Sequence, residues 1–374
     1  MKFDYDFKNY NFLLLLLVAA MNVCGVLIVR SASNMDTAIV TRQIVGSLAG
    51  MCICVILSFL DYRKLVKYAN LIFAVCLFAL VAVLVWGAVR KGAGRWIVLP
   101  VIGQIQPAEF VKIGVIIFFA AFFEKHRETI SSPRTVLRAA VLFAVPAALI
   151  LIEPNLSTTI ILTVIFAAVF FCAGISFRWI FGVLAAAAAF VGLVLYTFTT
   201  TLYEKIPFLE EYQKNRILGF LYPEKYNDIS VQQSQSILAI GSGGLNGKGL
   251  YNTDISSVKA GNFLIEEDTD FIFAIIGEEL GFRGALLLFA GFLLMIFMIL
   301  SIGAKARDLS GRLICTGVAA WIGFQTFTNI AVATGLFPNT GVPLPFISRG
   351  VSSLLSIYIG LGIVMNVGLQ RRKL

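Results

Sequence analysis

The sequence predicts an all-α membrane protein, a polytopic bundle of about ten transmembrane helices with one long extracytoplasmic loop. Its mean hydropathy of +0.88 and its 14% of charged residues describe a chain whose solvent is largely lipid. Apolar runs recur near the ~20 residues that a helix needs to cross a bilayer. We therefore expect residues 1–374 to form a single integral-membrane domain. The predicted spans cover roughly residues 12–30, 44–60, 68–89, 108–124, 137–153, 157–175, 178–198, 280–303, 311–333 and 350–370.

Positive charge in the connecting segments predicts the orientation. With both termini in the cytoplasm, sixteen Lys and Arg residues lie on the cytoplasmic side, against six in the short loops of the opposite side. The long loop, about residues 199–270, then faces outward. This asymmetry accounts for most of the net charge of +9, so we expect no nucleic-acid partner. The segment MKFDYDFKNY lacks a small-residue cleavage site, so the first span is expected to be retained.

Several kinds of chemistry are disfavoured. The single histidine, His126, lies among charges in a cytoplasmic loop, which argues against a histidine-assisted nucleophile or a histidine-ligated metal. The six cysteines fall in or beside spans at no ligand spacing. The glycine-rich segment Gly241–Leu250 is not a nucleotide loop, because Ser242 stands where the first glycine belongs and Gly249 follows Lys248. A re-entrant turn and a backbone contact to a diphosphate both remain open.

The acidic stretch 268–281 adjoins an apolar helical run at the end of the long loop. Ionisable groups at a membrane helix end are functional candidates. From the residues alone, Asp270 is equally a helix N-cap or a catalytic carboxylate. For Glu278 and Glu279 the sequence favours a structural role, in which they contact Arg283 or a neighbouring helix.

A second polar region lies between the third and fourth spans. Arg95 and Trp96 belong to a predicted outer loop, and Gln106 precedes a proline that suits a first helical turn. Glu109 and Lys112 lie three residues apart on one helix face. The sequence supports two alternatives equally. The two side chains either neutralise each other or bind a charged lipid head group.

Two further outer segments carry polar or stiff sequence. EPNLSTT, Glu153 to Thr159, predicts a tight turn with the Glu153 carboxylate at the membrane edge. The last outer loop, Thr334 to Ser353, holds three prolines and three glycines around apolar residues. That loop is stiff enough to wall a cleft.

Four blocks of this chain stand out: QPAEFVK (Gln106 to Lys112), QSILAIGSGGLNGKGL (Gln235 to Leu250), TDFIFAIIGEELGF (Thr269 to Phe282) and TGVPLPFIS (Thr340 to Ser348). They resemble the signature blocks of RodA and FtsW, the shape, elongation, division and sporulation family. The resemblance implies a peptidoglycan glycosyltransferase of the bacterial cytoplasmic membrane. Such an enzyme polymerises lipid II, the undecaprenyl-diphosphate-linked disaccharide peptide, beside a class B penicillin-binding protein, with inversion at the donor sugar.

The resemblance also implies site residues. The family's essential acid falls on Asp270. Arg349 departs from the family pattern but joins Arg95, Lys112 and Lys248 as a candidate cation for the leaving diphosphate. The matched substrate-binding positions are Arg95, Trp96, Gln106, Glu109, Lys112, Gln235, Lys248, Glu278 and Glu279.

Three departures from the family pattern stand out. Asp268 occupies a position that is commonly histidine. The turn beginning at Glu153 is commonly Gln-Pro-Asp-Leu-Gly-Thr, and Arg349, Gly350 and Val351 stand where Tyr-Gly-Gly is usual. Elongation and division roles both stay open.

The chemistry can also be argued from the residues. One carboxylate at the outer membrane edge, Asp270, can deprotonate an acceptor hydroxyl. A glycosidase would need a second carboxylate within about 10 Å, whereas Glu278 would lie roughly 12 Å along the helix. No cofactor is certain; a divalent cation, Mg or Mn, is compatible with a diphosphate, although no dedicated ligand set is visible. The undecaprenyl chains and membrane lipid are expected in grooves between helices. A lipid II flippase and a noncatalytic scaffold that activates a penicillin-binding protein are the alternatives.

Overall fold

The predicted polytopic helical bundle is confirmed. The structure, a computed structural model, describes residues 9–90, 93–99, 103–200, 211–252, 257 and 268–370. Some basic residues counted for the orientation lie outside these ranges: Lys2, Lys8, Arg371, Arg372 and Lys373 near the termini, and Lys91 in a predicted short outer loop. The helices are α1 Phe12–Ala32, α2 Thr37–Ser58, α3 Tyr62–Lys67, α4 Ala69–Trp86, α5 Pro107–Lys125, α6 Pro133–Ile152, α7 Leu156–Cys172, α8 Phe177–Thr199, α9 Glu211–Leu221, α10 Asn227–Ser242, α11 Ile272–Ala304, α12 Leu309–Ala333 and α13 Val351–Leu369.

Each predicted span corresponds to one of these helices. Among the described residues, seven helices are long and apolar enough to cross a membrane, namely α1, α2, α4, α6, α11, α12 and α13. The apolar helix α7 is shorter, and α5 carries four charged residues. The start of α1 and the end of α13 lie on the same side, because the carbonyl oxygen of Asn9 would be 3.9 Å from a Cβ on Gly368.

Helix starts follow local sequence signals. Asn11, Asp36, Asn155 and Asp308 each cap a helix by accepting a hydrogen bond from a backbone N–H of its first turn. Pro107 opens α5 at a position where a missing N–H costs nothing, as predicted.

The bundle surrounds a central group of helices. Most of α13 and α12 is buried inside the protein, with 83% and 67% of the residues in their most apolar stretches covered by other parts of the protein. The outer helices instead expose large apolar side chains such as Phe78, Phe181 and Leu287. In a polytopic membrane protein these side chains face lipid.

The predicted outer loop between the third and fourth spans is a small antiparallel sheet. Its strands are β1 Ala88–Arg90, β2 Ala93–Leu99 and β3 Gly103–Ile105, in the order β1-β2-β3. Hydropathy windows of helix length do not register such short strands. The long loop likewise contains the helices α9 and α10.

Helix α11 is broken at Gly281, which has φ 65° and ψ −168°. This left-handed φ suits glycine, because a side chain would be strained there. The glycine-rich segment wraps the break: Lys248 N donates to Glu278 O at 2.9 Å, and Phe282 N donates to Gly244 O at 2.9 Å. A Cβ on Gly247 would lie 2.2 Å from Glu279 O. The glycine-rich segment Gly241–Leu250 therefore packs against the break in α11. The predicted span 280–303 covers only the part of α11 that follows this break.

Candidate active site

Asp270 lies in the turn 268–271 that leads into α11, and its side chain is partly exposed. The helix begins at Ile272, and its N-cap is Phe271, with φ −108° and ψ 19°. Asp270 therefore precedes the N-cap position. The structure does not place it where the capping alternative requires it.

The Asp270 carboxylate faces an arginine that sequence reasoning missed. A Cβ built on Gly341 would lie 3.3 Å from Asp270 Oδ2 and 3.5 Å from Arg216 Nη1. Arg216 belongs to α9 and also donates to Asn339 O at 3.3 Å. Gly341 is exposed, so this small space opens to solution. Its φ of +70° and the narrow gap both favour glycine here.

Arg95 ties three elements together. It lies on β2, and its Nε donates to Glu153 O at 3.0 Å, while its Nη2 contacts Pro154 O and the Tyr212 hydroxyl. Gln213 also donates to Pro154 O, at 3.1 Å. The sheet, the α6–α7 turn and α9 thus meet at this arginine. Trp96, next to Arg95 on β2, is half-buried.

The side chain of Glu153, just beyond the end of α6, is enclosed under this junction. The residue is 1% exposed, and neither carboxylate oxygen has a hydrogen-bond partner among the described residues. Burial raises the pKa of Glu153 to about 8, although Arg95 opposes the rise. Glu153 is therefore expected to be mostly protonated at neutral pH.

Glu109 and Lys112 form the structural pair that was one of the two predicted alternatives. Lys112 is fully buried, and its Nζ lies 2.9 Å from Glu109 Oε1 and 3.3 Å from Gln325 Oε1. It also lies 4.7 Å from the centre of the Trp321 ring. The Gln106 backbone N–H donates to Ser352 Oγ at 3.1 Å. This cluster joins α5 to α12 and α13 inside the bundle.

The other matched acids and Lys248 support the kink of α11. Lys248 Nζ lies 2.9 Å from Glu278 Oε1, and Glu278 is fully buried. Ser31 of α1 donates to Glu279 Oε1 at 2.6 Å. Both contacts agree with the structural role favoured from the sequence. The predicted partner Arg283 instead donates to Asn246.

Helix α10 carries Gln235, which is half-buried. Its neighbours attach the helix to the end of α12: Gln233 donates to Val332 O and Phe337 O, both at 2.8 Å. Ser236 donates to Ala333 O at 2.8 Å.

Asp268 and Arg349, two of the residues that depart from the family pattern, form an ion pair. Arg349 Nη1 lies 2.7 Å from Asp268 Oδ2, and Arg349 N donates to Asp268 O at 2.9 Å. The arginine side chain is 43% exposed. This ion pair joins the last outer loop to the turn that carries Asp270.

The structure thus separates the predicted residues into groups. Asp270 and Arg216 border the small space beside Gly341, and the Asp268–Arg349 ion pair lies on the turn that carries Asp270. Arg95 anchors α9 beside the α6–α7 turn. The buried Glu109–Lys112 pair and the Lys248–Glu278 pair are bundle contacts. Within the described part of the chain, no three His, Cys, Asp or Glu side chains come together as metal ligands.

Comparison with known proteins decides the family. The FtsW/RodA/SpoVE model, described as a cell cycle protein, matches residues 9–373. The chain belongs to this family. It is 34% identical to the peptidoglycan glycosyltransferase MrdB of Escherichia coli strain K12 over 367 residues, which cover 96% of this chain and 94% of MrdB.

Solved structures of this family have the same fold. A chain from a peptidoglycan synthase complex, studied for the coordination of polymerization and crosslinking, superimposes with a TM-score of 0.80 and 29% identity over 97% of this chain and 98% of that chain. The rod shape determining protein RodA of Thermus thermophilus gives 0.71 and 27% identity, covering 100% and 99% of the two chains. The FtsW/RodA/SpoVE member described here is therefore a multi-pass membrane protein.

Proposed function

We propose that this FtsW/RodA/SpoVE member is a peptidoglycan glycosyltransferase that polymerises lipid II at the outer face of the cytoplasmic membrane, with Asp270 as general base. The observation that carries the proposal is the small space beside the exposed Gly341, where a Cβ would lie 3.3 Å from the Asp270 carboxylate and 3.5 Å from the Arg216 guanidinium. The full-length match to MrdB supports the reaction class.

The two side chains suit the two charge changes of the reaction. The acceptor hydroxyl must lose a proton as it attacks the donor sugar, and a positioned carboxylate can accept that proton. The bond from the sugar to the diphosphate breaks at the same time, and the departing undecaprenyl diphosphate gains negative charge. A preorganised cation stabilises that charge, and Arg216 is a candidate for this role, because its Nη1 approaches the same Gly341 as the Asp270 carboxylate. Attack opposite the leaving group inverts the sugar carbon.

Arg349 and Arg95 act at the margin of this space in the proposal. Arg349 is exposed and keeps one face toward solution beside Asp268. Arg95 holds α9 through Tyr212 and thereby helps to set the position of Arg216. Mg or Mn would accompany the diphosphate, whose oxygens suit a hard cation. Activity that survives EDTA unchanged would remove the divalent ion from the proposal.

Transport of lipid II finds less support. The intramembrane charges that could have marked a polar route, Glu109 and Lys112, are buried and bonded to each other. Charged side chains that are already paired in this way are poorly suited to bind the head group of lipid II as it crosses the membrane.

Orientation and partner are parts of the same proposal. The start of α1 and the end of α13 lie on one side of the bundle, and we propose from the positive-inside rule that this side is cytoplasmic. The site then faces outward, where a class B penicillin-binding protein would use the glycan strands. The similarity to a chain of a peptidoglycan synthase complex supports such a partner.

The test is polymerisation of labelled lipid II by purified protein with its partner. Asp270→Asn keeps the size of the side chain but cannot accept the proton, so we expect turnover to be abolished while the protein folds and binds its partner. Near-normal glycan synthesis by this variant would eliminate the catalytic assignment. Lipid movement in liposomes, measured in parallel, tests the flippase alternative.

A further inference from the structure

The backbone of the 268–270 turn is held at three successive carbonyl oxygens. Arg349 N donates to Asp268 O at 2.9 Å, Ser348 Oγ donates to Thr269 O at 2.7 Å, and Asn329 Nδ2 donates to Asp270 O at 2.9 Å. All three donors come from α12 or from the loop that follows it. These three bonds therefore hold the backbone of residues 268–270 against α12 and the loop that follows it.

Of these three donors, Asn329 is the one that bonds to the backbone carbonyl of Asp270 itself. The residue is 1% exposed, and its Nδ2 donates both to Asp270 O and to Val342 O, the latter at 2.8 Å. An amide nitrogen carries two hydrogens, so these bonds use its full donor capacity. One side chain thus joins the acid's own peptide to the last outer loop beside Gly341.

Further hydrogen bonds hold the loop that Asn329 contacts. Gln325 lies one helical turn before Asn329 on the same face of α12 and donates to Pro343 O at 2.9 Å. Ser348 Oγ also accepts from Leu344 N at 2.7 Å, which closes the loop upon itself. Neighbouring loop atoms are therefore held from the same helix face as Asp270.

We propose that Asn329 is a positioning residue for Asp270 and sets the distance from its carboxylate to the acceptor hydroxyl. The inference rests on the proposed role of Asp270 as general base. Proton transfer needs hydrogen-bond reach, and a displacement of about 1 Å can cost roughly 100-fold in rate. Loss of the bond to Asp270 O frees the peptide that carries the base without removing any group that touches substrate.

Two variants and one control test the proposal. Asn329→Leu keeps the approximate size but has no donor for the two carbonyls; Asn329→Ala removes the contact altogether. Thr328→Ala is the matched control, because among the described residues its hydroxyl donates to Phe324 O of its own helix, at 2.8 Å. We expect kcat for lipid II to fall roughly 10- to 100-fold in both Asn329 variants, with KM within about threefold, and to stay near normal in the control.

A double variant separates positioning from a general loss of structure. In an Asp270→Glu background, whose carboxylate can still accept the proton, Asn329→Ala should cost less kcat than in the wild type if Asn329 acts through Asp270. A normal kcat in Asn329→Leu, or an equal loss in Thr328→Ala, would overturn the inference. Should the alanine variant fail to fold, Asn329→Ser retains one donor, and an intermediate kcat is expected.

A readout without turnover distinguishes this inference from the proposed function. In an Asp270→Cys background, Asn329→Ala should change the rate of maleimide labelling several-fold, while Thr328→Ala should not; protein with only the native cysteines gives the background. A changed rate in a protein whose Asp270→Asn variant is active would retain the positioning and reject the general base. An unchanged rate with an inactive Asp270→Asn would reject the positioning alone.

Discussion

Glu153 should make the stability of the contact between the α6–α7 turn and α9 depend on pH. Its pKa rises from an ordinary value of 4.5 to about 8 because the carboxyl is buried without a hydrogen-bond partner among the described residues. A carboxyl whose folded pKa is raised contributes stability that is fully present below about pH 4.5. That contribution is lost as the pH rises through about 8.

The magnitude follows from the same values. At about 1.4 kcal/mol per pH unit, the change from 4.5 to about 8 corresponds to at most about 5 kcal/mol. The protein can relieve part of this cost by local opening, with α9 separating from the α6–α7 turn. We therefore expect a smaller change in global unfolding and a larger change in the protection of α9.

Glu153→Gln is the matching perturbation, since Gln stays neutral and is the residue commonly found at this position in the family. The measurement is thermal unfolding of detergent-purified protein, together with proteolysis at α9, from pH 5 to pH 9. The wild type should lose stability across this range, and Glu153→Gln should lose much less. Glu224→Gln, at an exposed site in the same outer region, is the control and should follow the wild type. Parallel curves for the wild type and Glu153→Gln would refute the reasoning.

Three further predictions concern charged groups. Arg216→Gln should lower polymerisation roughly 100-fold through lost stabilisation of the diphosphate, with normal expression; activity within twofold of wild type would contradict this role. Asp268→Arg and Arg349→Asp should each reduce turnover, and the double variant should regain part of it if the pair holds the turn; a double variant as inactive as Arg349→Asp would instead point to diphosphate binding by Arg349. Lys112→Gln should reduce folded yield and cost about 3–5 kcal/mol, because it leaves the buried Glu109 without its cation; normal yield with lost turnover would show a role in substrate binding.

Much of the architecture could be predicted because its signals are local. A transmembrane helix is recognisable from some 20 consecutive residues, and each predicted span has its helix in the structure. The small sheet was not predicted, because strands as short as Gly103–Ile105 leave no distinct hydropathy pattern. The break at Gly281 was also missed, since its cause is the close approach of Gly247 from another segment.

The candidate site was only partly predictable. Asp270 was identified by its block, but Arg216 stands in no matched motif, and its only sequence signal is a basic residue on a short helix of the long loop. The predicted binding roles of Arg95, Lys248 and Glu278 stay predictions, now with structural contacts beside them. Whether a charged side chain meets substrate or a neighbouring helix depends on what folds against it.

By itself, then, the sequence determined the membrane class, the helical spans and the acid at the head of α11, because hydropathy and motif are properties of neighbouring residues. Only the tertiary structure decided which charges pair and what holds the acid in place. Ser31 reaches Glu279 across 248 residues, and Asn329 reaches the peptide of Asp270 across 59. Such contacts arise when distant helices pack together, because a buried polar group must find its partner wherever the fold provides one.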